Sequence, residues 1–244
     1  MKKIITSIIS ALLLSISLVG ISNATSLTVV TDATFPPLEF KQDGKLTGFD
    51  IELFNEVGKR LDKTIKWVQV DFKGLIPSLV SGRADVAISG IYITEARAKV
   101  VDFTESYLSG GLVVVAKEGD NSIKSAQDLK GKKVSVQIGT KSVAYLKEHF
   151  PETKLIEVEK NQQMFNLVSI GRADASVTGK PAAYTYANAR GGVKILPEQL
   201  TTEKYGIAVK KGTGNLKDQI NQVITEMQLD GSYEKIYQKW FPAS

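Results

Sequence analysis

The stretch SGIYITEARAKVVDFT, residues 89–104, holds the parts of a seat for a small anion. Ser89 and Gly90 can open a turn with free backbone N–H groups. Arg97 offers a planar fork of donors that matches a carboxylate. The same residues also fit a strand end, a turn and a solvated helix start carrying a surface arginine, so this stretch does not decide alone. Other chemistries find less support. His149 is the single histidine, and it stands at a helix end before Pro151, where the helix dipole favours it. A Ser/His/Asp set therefore has no other histidine to draw on. No metal-ligand spacing and no glycine-rich phosphate loop occur.

The elements that must position Ser89, Gly90 and Arg97 follow from periodicity. Strands are predicted at residues 27–31, 65–70, 84–89 and 112–117, with helices over 48–61 and 74–81, the second stopped by Gly82. The prolines in DATFPP, residues 32–37, predict an irregular link. The pattern then restarts: strand 133–137, helix 141–149, strand 155–158 and helix 162–169. A strand at 205–209 and helices at 216–229 and 233–240 complete it. Alternating strands and helices predict an α/β protein with mostly parallel sheets. Inside the restart lies an echo. GRADVAISG at 82–90 and GRADASVTG at 171–179 share five of nine residues. Ligands of parallel sheets sit beyond the carboxyl ends of strands. Ser89-Gly90 and Thr178-Gly179 are two such ends, and two equivalent lobes would turn both toward one cleft.

Residues 1–24 read as a secretory leader: Lys2-Lys3, an apolar stretch over 4–21, then Ser22-Asn23-Ala24 with cleavage expected after Ala24. Export to the periplasm follows. No later run is long and apolar enough to span a bilayer. The chain has no cysteine, so stability must come from the core rather than from disulfides. The net charge of +5 is scattered among acids, which gives nucleic-acid binding no support.

The segments TDATFPPLEFKQDGKLTGFDIELFNEVGKRL, DFKGLIPSLVSGRADVAISGIYITEARAKVVDFTESY, GKKVSVQIGTKSVAYL and YEKIYQKWF resemble the polar amino acid-binding proteins of ABC transporters, in the glutamine-, arginine- and lysine/histidine-binding branch. The resemblance runs in order over the whole chain after the leader. It implies a type II periplasmic-binding-protein fold with two α/β lobes joined by a two-strand hinge, the ligand cleft lying between them. Residues 25–108 with 206–244 would form one lobe and 109–205 the other. It further implies a monomer that binds an amino acid or derivative bearing a carboxylate, without cofactor or metal. An ABC permease and its ATPase at the inner membrane would be its partners.

Residue by residue, the resemblance implies that Arg97 pairs the ligand carboxylate. Phe35 and Phe72 would sandwich the side chain, and Asp32 would meet its distal polar group. Backbone groups of Ser89 and Gly90, and of Thr140 and Lys141 from the other lobe, would complete the carboxylate seat. Thr178 ends the second echo strand. Two positions depart from the family pattern. Gly179 stands where an aspartate normally pairs the ligand ammonium, and Tyr92 stands where Thr or Ser is usual. Either the ligand lacks a free primary α-ammonium, or Asp32, Glu39 or the Tyr92 hydroxyl receives it. Restoring an acid, Gly179→Asp, is then expected to improve binding of an ordinary α-amino acid. Lys180, next to the lost acid, is expected to be solvated. The alternative function is an exported enzyme on the same fold, cyclohexadienyl dehydratase-like, with Glu39 or Lys180 as general acid.

Overall fold

A computed structural model describes residues 25–242. The leader and its expected cleavage after Ala24 lie outside the described residues. The chain runs β1 (Ser26–Thr31), β2 (Thr34–Phe35), β3 (Glu39–Gln42), β4 (Lys45–Thr47), α1 (Phe49–Arg60), β5 (Thr64–Gln69), α2 (Leu75–Val80), β6 (Val86–Ala87), α3 (Glu95–Ala98) and β7 (Val101–Gly110). It continues β8 (Leu112–Lys117), β9 (Lys133–Gln137), α4 (Lys141–His149), β10 (Lys154–Val158), α5 (Asn161–Ser169), β11 (Ala175–Gly179) and α6 (Lys180–Arg190). It closes with β12 (Val193–Gln199), β13 (Glu203–Lys210), α7 (Leu216–Leu229) and α8 (Ser232–Trp240).

Two five-stranded sheets carry the fold, in the orders β5-β1-β6-β13-β7 and β10-β9-β11-β8-β12. Each is mixed, not mostly parallel. β5, β1 and β6 are parallel, while β13 and β7 join antiparallel. β10, β9 and β11 are likewise parallel, with β8 and β12 antiparallel. The antiparallel strands are the ones the chain uses to pass between sheets. β7 ends at Gly110 and β8 begins at Leu112, so a single residue separates the two sheets there. The return passage lies between β12 and β13. The two passages touch: the Leu112 N–H donates to Thr201 Oγ1 at 3.0 Å and the Leu200 N–H to the Leu112 carbonyl at 2.8 Å.

The sequence echo is a structural echo. β6 and β11 are each the third strand of their sheet, with a parallel neighbour on one side and an antiparallel one on the other. Gly82 and Gly171 both stop the preceding helix at φ 73°, the left-handed region that glycine enters without steric cost. Asp85 and Asp174 then repeat one two-way clasp on the adjacent strand. Asp85 donates its N–H to the Thr28 carbonyl and accepts the Thr28 N–H, and Asp174 does the same with Lys133. The shared GRAD is thus a helix stop followed by a strand-start clasp.

Helix faces follow the apolar spacing. Leu216, Ile220, Val223, Ile224 and Met227 bury one face of α7, and Phe49, Leu53, Phe54 and Val57 bury one face of α1. Two further expectations need correction. The proline segment is not wholly irregular: Thr34–Phe35 pairs with β3, and β3 with β4, as a small third sheet. Pro36 and Pro37 lie just beyond β2, so the ladder does not need their missing N–H groups. The strand expected over 84–89 is reduced to Val86–Ala87, because the chain leaves the ladder to form the turn at Ser89-Gly90.

Candidate functional site

The carboxyl ends of β1, β6, β9 and β11 converge on one cavity, with about 450 Å³ of space once its open mouth is counted. Asp32, Phe35 and Phe72 line it from the segments after β1 and β5, and Ser89, Gly90, Tyr92 and Arg97 from those after β6. Thr140 and Lys141 approach from the start of α4, and Thr178 and Gly179 from the end of β11. All the residues expected to contact the solute, and Glu39 with them, therefore line one cavity. Lys180 points away into solvent, its ammonium 5.9 Å from the Tyr184 ring centre.

Arg97 is half-buried on the short helix α3, whose first turn is closed by Thr94 Oγ1 accepting the Arg97 N–H. Its guanidinium lies 5.5 Å from the Phe72 ring centre. Nη1 donates to the Tyr92 carbonyl at 2.7 Å and Nη2 to the Gly139 carbonyl at 3.1 Å. Desolvation draws its pKa down to about 10, which leaves it cationic at any working pH. Opposite stands the N-terminus of α4. Thr140, its N-cap, turns its hydroxyl back to the Gln137 carbonyl and caps no helix N–H. Among the described residues no side chain caps the first turn of α4, and Thr140, Lys141 and Ser142 line the cavity with the positive end of the helix dipole behind them. Lys141 Nζ turns aside to Glu203 at 3.7 Å.

The acidic end of the cavity is Asp32, almost fully buried. Gln137 Nε2 donates to Asp32 Oδ2 at 2.6 Å, and Lys160 Nζ lies 3.4 Å from Oδ1. Burial raises the Asp32 pKa, against the opposing pull of Lys160 and Gln137. Gln137 is held in turn by Asn161, whose amide donates to its Oε1 at 2.8 Å. Lys160 also pairs with Asp71 at 2.5 Å, and Lys73 with Glu159 at 2.6 Å. These bonds tie the β1–β6 side of the cavity to the β9–β11 side.

Gln137, Asn161 and Tyr205 line the cavity and escaped the sequence reading. Gln137 carried one usable signal, its place at the carboxyl end of a strand. Tyr205 carried none, because its role depends on Tyr92. The two rings stack with centres 4.3 Å apart, and the Tyr205 hydroxyl donates to the Tyr92 oxygen at 2.9 Å. Tyr92 passes its own proton to the Gly111 carbonyl at 3.2 Å. Burial pushes the Tyr92 pKa up to about 12, so the wall is uncharged at neutral pH. It also explains Gly179. A Cβ there would stand 2.7 Å from Tyr205 Oη, 2.9 Å from Phe35 Cζ and 3.2 Å from Tyr92 Oη. The tyrosine pair and Phe35 hold the space that a side chain at 179 would need, so an acid restored there would have to displace them.

Known proteins share this architecture. The ABC transporter glutamine-binding protein GlnH of Bacillus subtilis (strain 168) is 34% identical over 216 residues, covering 87% of this chain and 79% of its own. The solved structure of an ancestral arginine-binding protein bound to arginine matches with a TM-score of 0.85 and 45% identity, over 88% of this chain and 98% of that one. The ancestral amino acid-binding protein AncCDT-1, described as a precursor of cyclohexadienyl dehydratase, matches with a TM-score of 0.83 and 39% identity, over 88% and 95%. These relatives are named for binding, and this chain is a solute-binding protein. A two-lobe type II fold closes around its cavity. Over residues 27–243 the family model matches, and the chain belongs to the bacterial extracellular solute-binding proteins, family 3.

Proposed function

We propose that this chain is the periplasmic capture component of an ABC importer and that its solute is an amino acid or amino-acid derivative held by its carboxylate. The observation that carries the reading is the convergence of the Arg97 guanidinium and the uncapped N-terminus of α4 on one cavity. Two sets of fixed donors from opposite sides suit a carboxylate. Phe35 and Phe72 supply flat apolar walls for the solute's body, and Asp32 receives a donor at its far end. The names of the glutamine- and arginine-binding relatives support the amino-acid class.

In this reading, residues 25–108 with 206–244 form one lobe and 109–205 the other, hinged at the paired β7 and β13. The open form admits the solute to the Arg97 side. Closure brings the α4 N-terminus down on it and is favoured by the extra contacts of the closed state. A monomer then presents both lobes to a permease driven by its ATPase, after the leader is removed at Ala24.

The wall made by Tyr92, Tyr205 and Gly179 narrows the solute class. It offers a neutral oxygen where a buried ammonium needs an anion. Solutes whose α-nitrogen is substituted, uncharged or absent fit this wall better than ordinary α-amino acids do. A thermal-shift screen on unfolded and refolded protein tests this, since a bound solute raises the melting temperature by mass action. N-substituted amino acids, opines and dicarboxylates should stabilise more than the twenty amino acids. Stabilisation by a plain amino acid alone would transfer the ammonium to Asp32 or Glu39. If no carboxylate stabilises the protein, the anion-seat reading fails.

The Lys160 bridge should contribute modestly to closure. Its side chain is 38% exposed, and screened pairs of this kind are worth little. Lys160→Ala is expected to weaken solute binding roughly two- to five-fold at low salt, and less at high salt. Calorimetry at two salt concentrations reads this out. A loss that salt leaves unchanged would mean Lys160 acts through packing.

A further inference from the structure

Beneath the Ser89-Gly90 turn lie two carboxylic side chains. Glu39 on β3 and Asp50 on α1 are both 0% exposed. The Ser89 hydroxyl donates to Glu39 Oε1 at 2.8 Å and accepts the Asp32 N–H at 2.9 Å. The Gly90 N–H donates to Asp50 Oδ2 at 2.9 Å, and the Tyr107 hydroxyl reaches both Asp50 oxygens at 2.9 and 3.0 Å. Among the described residues no N–H or hydroxyl serves the second Glu39 oxygen, Oε2. The neighbouring acid that acts on Glu39 is the Asp50 carboxyl, which grips the next residue of the same turn. Two like charges side by side cannot both persist in a buried site, and a hydrogen bond between two carboxyls requires a proton.

We propose that Glu39 and Asp50 share one proton at neutral pH and that this un-ionised pair is the positioning device for the Ser89-Gly90 turn. Each carboxyl grips one residue of the turn, Glu39 through the Ser89 hydroxyl and Asp50 through the Gly90 N–H. The shared proton joins the two grips. The inference goes beyond the binding reading, because it concerns how the turn is held and not what the solute is.

The surroundings favour the protonated form. The charges that act on Glu39 are those of Asp50 and Asp32, both negative. Lys160 stands against Asp32 and Asp71. Arg97 gives its fork to backbone carbonyls. Tyr107 and Tyr205 nearby are kept neutral by burial. Burial first, and Asp50 second, hold Glu39 well above the usual carboxylate range. Burial lifts Asp50 to about 6 against its hydrogen bonds to Gly90 and Tyr107. The folded protein thus keeps a proton that the unfolded chain releases above its ordinary carboxylate pKa, about 4. The stability this gives is complete below that value and is lost as pH rises through the folded-state value.

The test uses the protein without solute. Infrared spectra in heavy water at neutral pH should show the carbonyl band of an un-ionised carboxylic acid, which disappears in Glu39→Gln. Glutamine can still accept from Ser89 and donate to Asp50 without a proton, so the variant should fold. Between about pH 6 and pH 9 the wild-type melting temperature should fall by several degrees, and that of Glu39→Gln by less than half as much. Three outcomes would overturn the proposal: no un-ionised band in the wild type, a band removed by Asp32→Asn instead, or coincident pH profiles. If Glu39→Gln does not fold, the wild-type and Asp32→Asn spectra still decide, since a band that survives Asp32→Asn supports the pair and its absence refutes it.

Discussion

Arg97→Ala should weaken binding of a carboxylate solute by about a hundredfold or more, because breaking a desolvated, charge-assisted pair removes a few kcal/mol. Stability of the unliganded protein should change far less. The carbonyls that Arg97 serves belong to Tyr92 and Gly139, and Gly139 is exposed and free to take water. Arg97→Lys should restore the charge without the affinity, since an ammonium cannot reach both carbonyls and a carboxylate from one plane. Arg97 stays cationic, so its contribution should be constant through neutrality. Calorimetry on wild type and both variants measures this. An unchanged dissociation constant in Arg97→Ala would remove the carboxylate from the site.

Local pattern and long-range contact were not equally visible in the sequence. α7 was readable over its whole length, since Leu216 to Met227 follows helical spacing and Gly231 stands two residues past its end. The GRAD repeat was readable as an echo, and its cause, a clasp from Asp85 and Asp174 to the neighbouring strand, needs only one adjacent segment. β7 was not readable. Its burial follows no strict alternation, and its partner β13 is supplied from about a hundred residues away. The sheets looked parallel because the βαβ units announce themselves locally, whereas the antiparallel strands are placed by the passage between lobes. The same division holds in the cavity. Arg97, Ser89 and Gly90 lie together in one stretch that reads as an anion seat. Gln137 matters because it reaches Asp32, 105 residues away, and Tyr205 because it stacks on Tyr92. A glycine in place of an acid at 179 looked like a missing charge until the occupants of that space were known.

Gly179→Asp should therefore damage the protein rather than restore a lost function. The nearest atom to its Cβ, Tyr205 Oη at 2.7 Å, is not the free end of a flexible chain. Tyr205 is fully buried, stacked on Tyr92 and hydrogen-bonded to it. Phe35 closes the other side at 2.9 Å. Overpacking of this kind costs about 1–3 kcal/mol. In a chain of this size that is on the order of 2–10 °C in melting temperature. A buried carboxylate beside neutral phenols adds a desolvation cost. Solute affinity should fall by at least about tenfold, since one kcal/mol and a half corresponds to that factor. Tyr92→Thr should relieve part of the clash and release the Tyr205 hydroxyl. The double variant Gly179→Asp/Tyr92→Thr should then lose less than the two single variants together, with a coupling on the order of 1 kcal/mol or more. Unlike either single variant, it should bind glutamine or arginine, because an acid then faces the α-ammonium with room to do so. Melting curves and calorimetry on the four proteins give the cycle. If Gly179→Asp alone keeps its melting temperature and binds α-amino acids more tightly, the tyrosine pair moves aside at little cost, and Gly179 marks a simple loss of charge. If the cycle couples as expected, Tyr92, Tyr205 and Gly179 are one unit, and the shape of that wall selects the solute.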